Sequence, residues 1–311
     1  MIDRSQTDFS TVPLVLASRK SNLAIAQTEE VRRTILPVPT EILGLSTKGD
    51  EVLDRPLVDL GGKGVFIKTL EAALLDGRAD AAVHSLKDME THIAPGTEIA
   101  AVLPREDRAD ALVGPYRTLD ELPTGARIGT ASVRRAACLW HHRPDLKITL
   151  LRGNVNSRIA RMATGEFAAI ILAMAGLNRL QLGCDYHRLD ETVMPAAAAQ
   201  GAISVQIYSS GSRADAVRAC LAAAHCSRTA DCTTAERAVL AALDGSCRTP
   251  ISAMADLDSA GRLSLSATVL SADGRQKFAV EAEGGREQAQ QMGTELGKRL
   301  LKMCGGKAFL A

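Results

Sequence analysis

Residues 127–142 have the sequence RIGTASVRRAACLWHH, and this stretch decides the fold class. Arg127 to Gly129 suits a short buried strand, and Val133 to His141 suits a helix. The polar turn Thr130–Ser132 joins them and offers a residue that can cap the helix. A strand that turns at once into a helix is half of a strand-helix-strand unit, which predicts a mostly parallel sheet with helices on its faces.

The same alternation extends in both directions from this stretch. C-terminal to it, the pattern predicts strands and helices at Lys147–Leu150, Asn154–Ala163 (capped by Asn154) and Ala168–Leu172. N-terminal to it, an equivalent series is predicted at Val12–Ala17, Ser21–Ile35, Glu41–Leu45, Phe66–Leu75 and Ala79–Val83. Two such α/β units in tandem predict a ligand cleft between them.

The last part of the chain has a different pattern and predicts a small α+β domain. Three antiparallel strands are expected at Ile251–Ala255, Leu263–Leu270 and Lys277–Ala282, closed by a helix from Glu287 to Cys304. A strand at Ala202–Ile207 is expected to return to the first unit. We therefore expect a discontinuous first domain (1–104 and about 200–222), a second domain (105–199) and a third (223–311).

Composition excludes several classes of protein. The 311 residues are 46% hydrophobic and 3% aromatic, and 37 basic residues nearly balance 36 acidic ones. A disordered chain or a globally basic nucleic-acid binder is therefore not expected. We expect no membrane span, no signal peptide and a cytoplasmic location. The seven cysteines are an odd number in a chain with no predicted signal peptide, so we expect reduced thiols. They form no CxxC pair, and scattered thiols are favoured over a metal cluster at Cys220, Cys226 and Cys232.

Cations concentrate at the predicted strand-to-helix junctions. Between Arg105 and Arg161 there are ten arginines and one lysine against six acidic residues. Strand ends and helix starts meet at one edge of a parallel sheet, where helix N–H groups and arginine forks bind anions. The junctions predict a ligand with several carboxylates or phosphates, although solvated arginines and ordinary helix caps would give the same local sequence. The residues concerned are Arg19, Ser21, Ser132, Arg134, Arg135, Arg152 and Arg158.

Three further segments could carry chemistry. Lys87 and Asp88 directly follow a predicted strand, so Asp88 could move a proton at the cleft, or could simply cap a helix. The glycine-rich segment at 61–64 could be a lid that carries Lys63 and Phe66, or an ordinary loop. Cys247 lies in a turn-rich loop beside a cation and could be a covalent attachment point, or an incidental thiol.

Several motifs in order along the chain resemble the porphobilinogen deaminase (hydroxymethylbilane synthase) family. They are 17–24 (ASRKSNLA), 47–50 (TKGD), 61–66 (GGKGVF), 83–88 (VHSLKD), 105–107 (RED), 129–135 (GTASVRR), 151–155 (LRGNV) and the cysteine loop that ends at 250–251 (PI). The resemblance covers nearly the whole chain. It implies two domains of the type II periplasmic-binding architecture and a small cysteine-bearing third domain.

The resemblance also implies the chemistry. Family members carry a dipyrromethane cofactor in thioether linkage to a loop cysteine, here Cys247. They deaminate porphobilinogen, join four units head to tail and release hydroxymethylbilane for tetrapyrrole biosynthesis. By motif, Asp88 would be catalytic and would contact the cofactor, and Lys63 and Phe66 would belong to the lid. The cofactor side chains would bind Lys87, Ser132, Arg134 and Arg135, and substrate would bind Arg19, Ser21, Arg152, Arg158 and Arg179. A monomer is the family expectation.

The chain departs from the family pattern at a few places. Asp59 stands where a lysine is frequent, Met89–Thr91 replaces a hydrophobic-Pro continuation, and segment 205–208 lacks the usual Glu and Arg. Segment 195–201 (PAAAAQG) lacks the usual glycine before Gln200. Two alternatives to an active deaminase therefore stay open: a binding protein of the same fold for an anionic ligand, and a paralogue with low activity.

Overall fold

The computed structural model describes residues 8–47, 67–243 and 249–309. Its contacts divide the chain into two compact units. The first is formed by the described residues of Met1–Arg105 and Ala202–Ala230, and the second by those of Glu106–Gly201 and Asp231–Ala311. The segment predicted as a third domain belongs mostly to the second unit. The three domain boundaries drawn from the sequence stay a prediction.

The first unit is built on a five-stranded mixed sheet. Its strands are β1 (Leu14–Arg19), β2 (Thr40–Leu45), β3 (Ala81–Ser85), β4 (Thr97–Val102) and β10 (Ile203–Tyr208), in the order β2-β1-β3-β10-β4. Only β10 runs against its neighbours. Helices α1 (Asn22–Thr34) and α6 (Ala214–Leu221) pack on one face, and α2 (Lys68–Leu75) packs on the other. The strand predicted to return after residue 200 does lie in this sheet.

The second unit repeats this topology. Its strands are β5 (Asp110–Val113), β6 (Arg127–Gly129), β7 (Lys147–Thr149), β8 (Ala169–Ala173) and β9 (Tyr186–Arg188), in the order β7-β6-β8-β5-β9. Only β5 runs against its neighbours. Helix α3 (Val133–His142) covers one face, and α4 (Val155–Ala163) and α5 (Met174–Leu180) cover the other. The two α/β sheets expected from the sequence are confirmed, whereas β4, β5, β9 and α5 are elements that the sequence analysis missed.

The last three strands form an antiparallel sheet in the second unit. The strands are β11 (Ile251–Leu257), β12 (Arg262–Leu270) and β13 (Lys277–Gly285), and they pack against α7 (Ser227–Ala242) and α8 (Ala289–Met303). This part of the sequence prediction is confirmed, with strands a few residues longer than expected.

The antiparallel sheet is attached directly to the α/β part of its unit. Arg108 donates two hydrogen bonds to Glu191, two to Asp256 and one to the carbonyl of Ala255, which lies in β11. A second contact joins Gly274, in the turn between β12 and β13, to Ala137 in α3. Gly274 has a positive φ, and the Ala137 carbonyl oxygen lies 2.5 Å from where a Cβ would be, so only glycine fits there. These contacts explain why the C-terminal sheet and the second α/β sheet belong to one compact unit.

The connecting segment (residues 195–201) contains a strained alanine. Ala199 has a φ of 58°, in the left-handed region, and is fully buried. Its amide donates a 2.6 Å hydrogen bond to the carboxylate of Glu236, which helps to hold this backbone. The residue stands where the family usually has glycine, so the strain gives a physical meaning to that departure.

We expect the Ala199→Gly variant to be about as stable as the wild type. Relief of roughly 1–2 kcal/mol of left-handed strain offsets the lost methyl burial and the extra backbone entropy of glycine. The matched change Ala198→Gly, at a buried neighbour without positive φ, should cost about 1.5 kcal/mol. Urea unfolding of both variants measures this difference, and equal losses would show that the backbone at Ala199 is not strained.

Candidate functional site

The first unit presents a cation and a carboxylate at one edge of its sheet. Strand β1 ends at Arg19, and the Ser21 hydroxyl caps α1 by accepting a 3.3 Å hydrogen bond from the amide of Ala24. Strand β3 is the parallel neighbour of β1, and a short 3-10 turn, Leu86–Asp88, follows it. Since parallel neighbours end at the same edge, Arg19 and Asp88 lie at that edge together.

The 3-10 turn contains one buried apolar residue, Leu86, followed by two charged residues that are at least partly exposed, Lys87 and Asp88. Leu86 is 1% exposed, and its amide donates a hydrogen bond to the carbonyl of Ala202. Lys87 is half-buried, whereas Asp88 is exposed. A buried leucine therefore fixes the turn and leaves the Asp88 carboxylate available to a ligand.

A buried glutamine in α1 holds this edge together. The side chain of Gln27, which is 5% exposed, and the Ser85 hydroxyl exchange hydrogen bonds of 2.9 and 3.1 Å. The contact ties the helix that begins after Arg19 to the strand that precedes Asp88. Sequence analysis missed Gln27, because a glutamine at a helical position gives no sign of what it faces.

His84 lies behind the turn as a neutral side chain. It is 6% exposed, and burial lowers its pKa to about 4, opposed in part by the nearby Gln206 side chain and assisted by the positive charge of Arg19. The imidazole is therefore uncharged near neutral pH and does not act there as an acid.

The second unit has two cationic junctions at the ends of neighbouring parallel strands, β6 and β7. The Ser132 hydroxyl caps α3, and Asn154 caps α4. Arg152 is 8% exposed, and Arg158 is half-buried and donates a 2.8 Å hydrogen bond to the carbonyl of Gly153. The structure thus brings Ser132, Arg152 and Arg158 to one sheet edge, where both helix starts offer partial positive charge.

Arg134 and Arg135 belong to a buried ion-pair cluster at the start of α3. They are 4% and 6% exposed, and both form ion pairs with the fully buried Asp110, at 2.6 and 2.7 Å. Arg134 also donates to the carbonyl of Pro195, and Arg135 to that of Ile171. Both have protein partners without a ligand, so their contact with a cofactor stays a prediction.

Arg179 also has a protein partner. It lies in α5 and donates a 3.1 Å hydrogen bond to the carbonyl of Gly201, at the end of the connecting segment. The neighbouring Asn178 donates to the carboxylate of Glu106. A hydrogen bond from the Asp107 amide lowers the pKa of Glu106 most, and the bond from Asn178 adds to this lowering. Substrate binding by Arg179 remains a prediction.

Three predicted site residues lie outside the described part of the chain. They are Lys63 and Phe66, assigned to the lid, and Cys247, assigned to the cofactor linkage. Among the described residues, no group of His, Cys, Asp and Glu side chains could hold a metal ion. Across the ranges 8–47, 67–243 and 249–309, no helix has both the length and the apolar character to span a bilayer.

The donor set suits a small molecule with several carboxylates. Each unit offers arginines and at least one capped helix start at the carboxyl ends of its strands, and the first unit adds the exposed Asp88. Arginine forks and free helix N–H groups match carboxylates, and a dipyrromethane with acidic side chains is such a molecule. Fold and donor sets are those of an α/β protein suited to a small polycarboxylate, with an exposed carboxylate in its first unit.

Comparison with known proteins identifies the family. Residues 14–216 match the family model "Porphobilinogen deaminase, dipyromethane cofactor binding domain", and residues 230–302 match its C-terminal domain. The porphobilinogen deaminase of Ralstonia nicotianae is 45% identical over 93% of this chain and 88% of its own length. That of Bordetella parapertussis is 45% identical over 96% and 95%. The chain belongs to the porphobilinogen deaminase family, transferases of tetrapyrrole biosynthesis with a dipyrromethane cofactor.

Solved structures of binding proteins are more distantly similar. The periplasmic aliphatic sulphonate binding protein of Escherichia coli is 13% identical with a TM-score of 0.37, over 74% of this chain and 70% of that one. A ligand-binding component of an ABC-type import system from Staphylococcus aureus is 11% identical with a TM-score of 0.39, over 74% and 75%.

Proposed function

We propose that this protein deaminates four porphobilinogen molecules and joins them head to tail on a dipyrromethane primer held by Cys247, releasing hydroxymethylbilane. The observation that carries the proposal is the placement of Asp88, exposed on a turn anchored by Leu86, at the same sheet edge as Arg19. Family membership over both matched domains supports it.

In this proposal, the role of each site residue follows from its charge. Arg19, Arg152 and Arg158 hold acetate and propionate groups through paired hydrogen bonds, which orient a growing chain whose negative charge rises with each ring. Asp88 stabilises the cation that forms when ammonia leaves and moves a proton at the pyrrole nitrogen. The bound dipyrromethane supplies the carbon nucleophile on which the chain grows.

Family membership leads us to propose the setting of the reaction. Porphobilinogen and its oligomers are the partners, and the protein acts as a monomer in the cytoplasm. The near balance of 37 basic and 36 acidic residues supports a small anionic ligand bound by local cations rather than a nucleic acid.

Intact-protein mass spectrometry tests the proposal. The freshly purified wild type is expected to carry a dipyrromethane-sized mass increment, and the Cys247→Ser variant is expected to lack it. The matched variant Cys184→Ser, at a half-buried thiol, should keep the increment and the turnover of porphobilinogen.

Each other outcome contradicts a part of the proposal. A wild type with only the polypeptide mass and no consumption of porphobilinogen would indicate an anion-binding protein. An increment without turnover would indicate a paralogue that binds the cofactor and is inactive. An increment that survives in Cys247→Ser would move the attachment to another residue.

A further inference from the structure

A single carboxylate collects four hydrogen bonds from three side chains in the core of the second unit. Asp110 is the first residue of β5 and is fully buried. Its Oδ2 accepts from Nη2 of Arg134 at 2.6 Å. Its Oδ1 accepts from Nη2 and Nε of Arg135 at 2.7 and 3.2 Å, and from Nε2 of Gln200 at 2.9 Å.

The charges of this cluster do not cancel. Two buried guanidinium groups face one carboxylate, so the cluster carries one net positive charge. Burial by itself would raise the pKa of Asp110, but the charges of Arg134 and Arg135 hold it well below its usual range. Asp110 is therefore ionised at any pH at which the protein works, and the surplus charge belongs to the two arginines.

The cluster also joins two segments of the chain. Arg134 and Arg135 are the second and third residues of α3, whose start lies at the predicted cofactor site. Arg134 donates to the carbonyl of Pro195, and Gln200 donates to that of Arg108, so both ends of the connecting segment are held. Without Asp110, the two neighbouring cations would repel each other. The start of α3 would also lose its connection to Gln200, which runs through the Asp110 carboxylate.

We propose that Asp110 is a positioning residue, which holds Arg134 and Arg135 side by side and locks the start of α3 to the connecting segment, so that one surplus positive charge faces a ligand carboxylate in a fixed direction. The proposal rests on the proposed function, since the ligand is the polycarboxylate of that reaction. It assigns to Asp110 no contact with substrate or cofactor.

The first unit supplies a matched control. Asp80 is also a carboxylate buried against an arginine, Arg213, with side chains 9% and 4% exposed. The residue precedes β3, and its carboxylate accepts from the amide of Val15 near the start of β1. It therefore lies at the end of the strands opposite to Arg19 and Asp88. Asp80→Asn and Asp110→Asn both remove a buried anion, but only the second changes the predicted site.

The experiment compares kcat and KM for porphobilinogen, per folded holoprotein molecule, in wild type, Asp110→Asn and Asp80→Asn. In Asp110→Asn we expect kcat to fall at least about tenfold without a rise in KM, because the substrate-binding residues are unchanged but two unrestrained cations misplace the dipyrromethane to which the substrate is joined. Asp80→Asn should lower the melting temperature and leave both constants unchanged. A wild-type kcat and KM in Asp110→Asn, or a rise in KM alone, would overturn the proposal.

If Asp110→Asn does not fold, a second variant that changes no charge, Gln200→Leu, tests the proposal. Gln200→Leu removes the hydrogen bonds that Nε2 donates to Asp110 and to the Arg108 carbonyl, without a change of charge. We expect it to lower kcat about threefold, the size of one lost hydrogen bond at Asp110. An unchanged kcat in that variant would overturn the proposal. Failure of the proposed function is distinguishable, because the wild type itself would then show neither bound cofactor nor turnover.

Discussion

The Asp88→Asn variant is expected to fold like the wild type and to lose at least ~10²-fold in turnover of porphobilinogen, the low end of general acid–base assistance. The two side chains have the same shape, and Asp88 is exposed on a turn that buried Leu86 anchors, so folding has little to lose. The substitution removes the negative charge of the Asp88 carboxylate, which would stabilise a cation and accept a proton. A steady-state assay of ammonia release or product formation measures the effect.

The control for Asp88→Asn has to separate loss of chemistry from loss of cofactor. Intact mass is measured first, and turnover is expressed per molecule that carries the dipyrromethane increment. Asp76→Asn removes another exposed carboxylate of the same unit, at the end of α2, and should keep wild-type turnover. If loaded Asp88→Asn works at close to the wild-type rate, the proton-transfer role belongs to a different group.

The local sequence was sufficient to predict those structural features that neighbouring residues determine. The caps at Ser21 and Asn154 and the strands that precede them are found within a residue or two of the prediction, because capping is a contact between residues three apart. The common edge of Arg19 and Asp88 was predictable for a different reason, because alternating strands and helices imply parallel pairing. The carboxyl ends of parallel strands share one side, which brings Arg19 and Asp88 together without further information.

Side-chain contacts between residues that are distant in sequence were not predictable. Strand β5 has four residues and no alternation, so its sequence does not indicate that its first residue, Asp110, meets two arginines 24 and 25 residues away. Arg134 and Arg135 look like free cations in the sequence for that reason. The missing glycine at Ala199 could be noticed from the family pattern, but its meaning required the φ of 58°.

The Asp80→Asn variant is expected to lose about 3 kcal/mol or more of unfolding free energy, in the range for breaking a buried ion pair. Both oxygens of Asp80 face Nη1 of Arg213, at 3.1 and 3.2 Å, and one of them also accepts from the Val15 amide at 2.8 Å. Arg213 in turn donates to the carbonyl of Val12 and packs over the ring of Phe9. Without the carboxylate charge, a guanidinium that is 4% exposed remains without a counter-ion.

The same arginine shows why relaxation cannot rescue the Asp80→Asn variant. Arg213 is 4% exposed and is held against the Val12 carbonyl and the Phe9 ring, so its guanidinium cannot reach water unless these residues move away. The exposed pair of Asp215 and Arg218, in the same unit, has water as a substitute partner, and Asp215→Asn should leave stability unchanged. Urea unfolding compares the two variants. Equal and small losses would mean that Arg213 finds another partner, and the anchoring role of Asp80 would then be rejected.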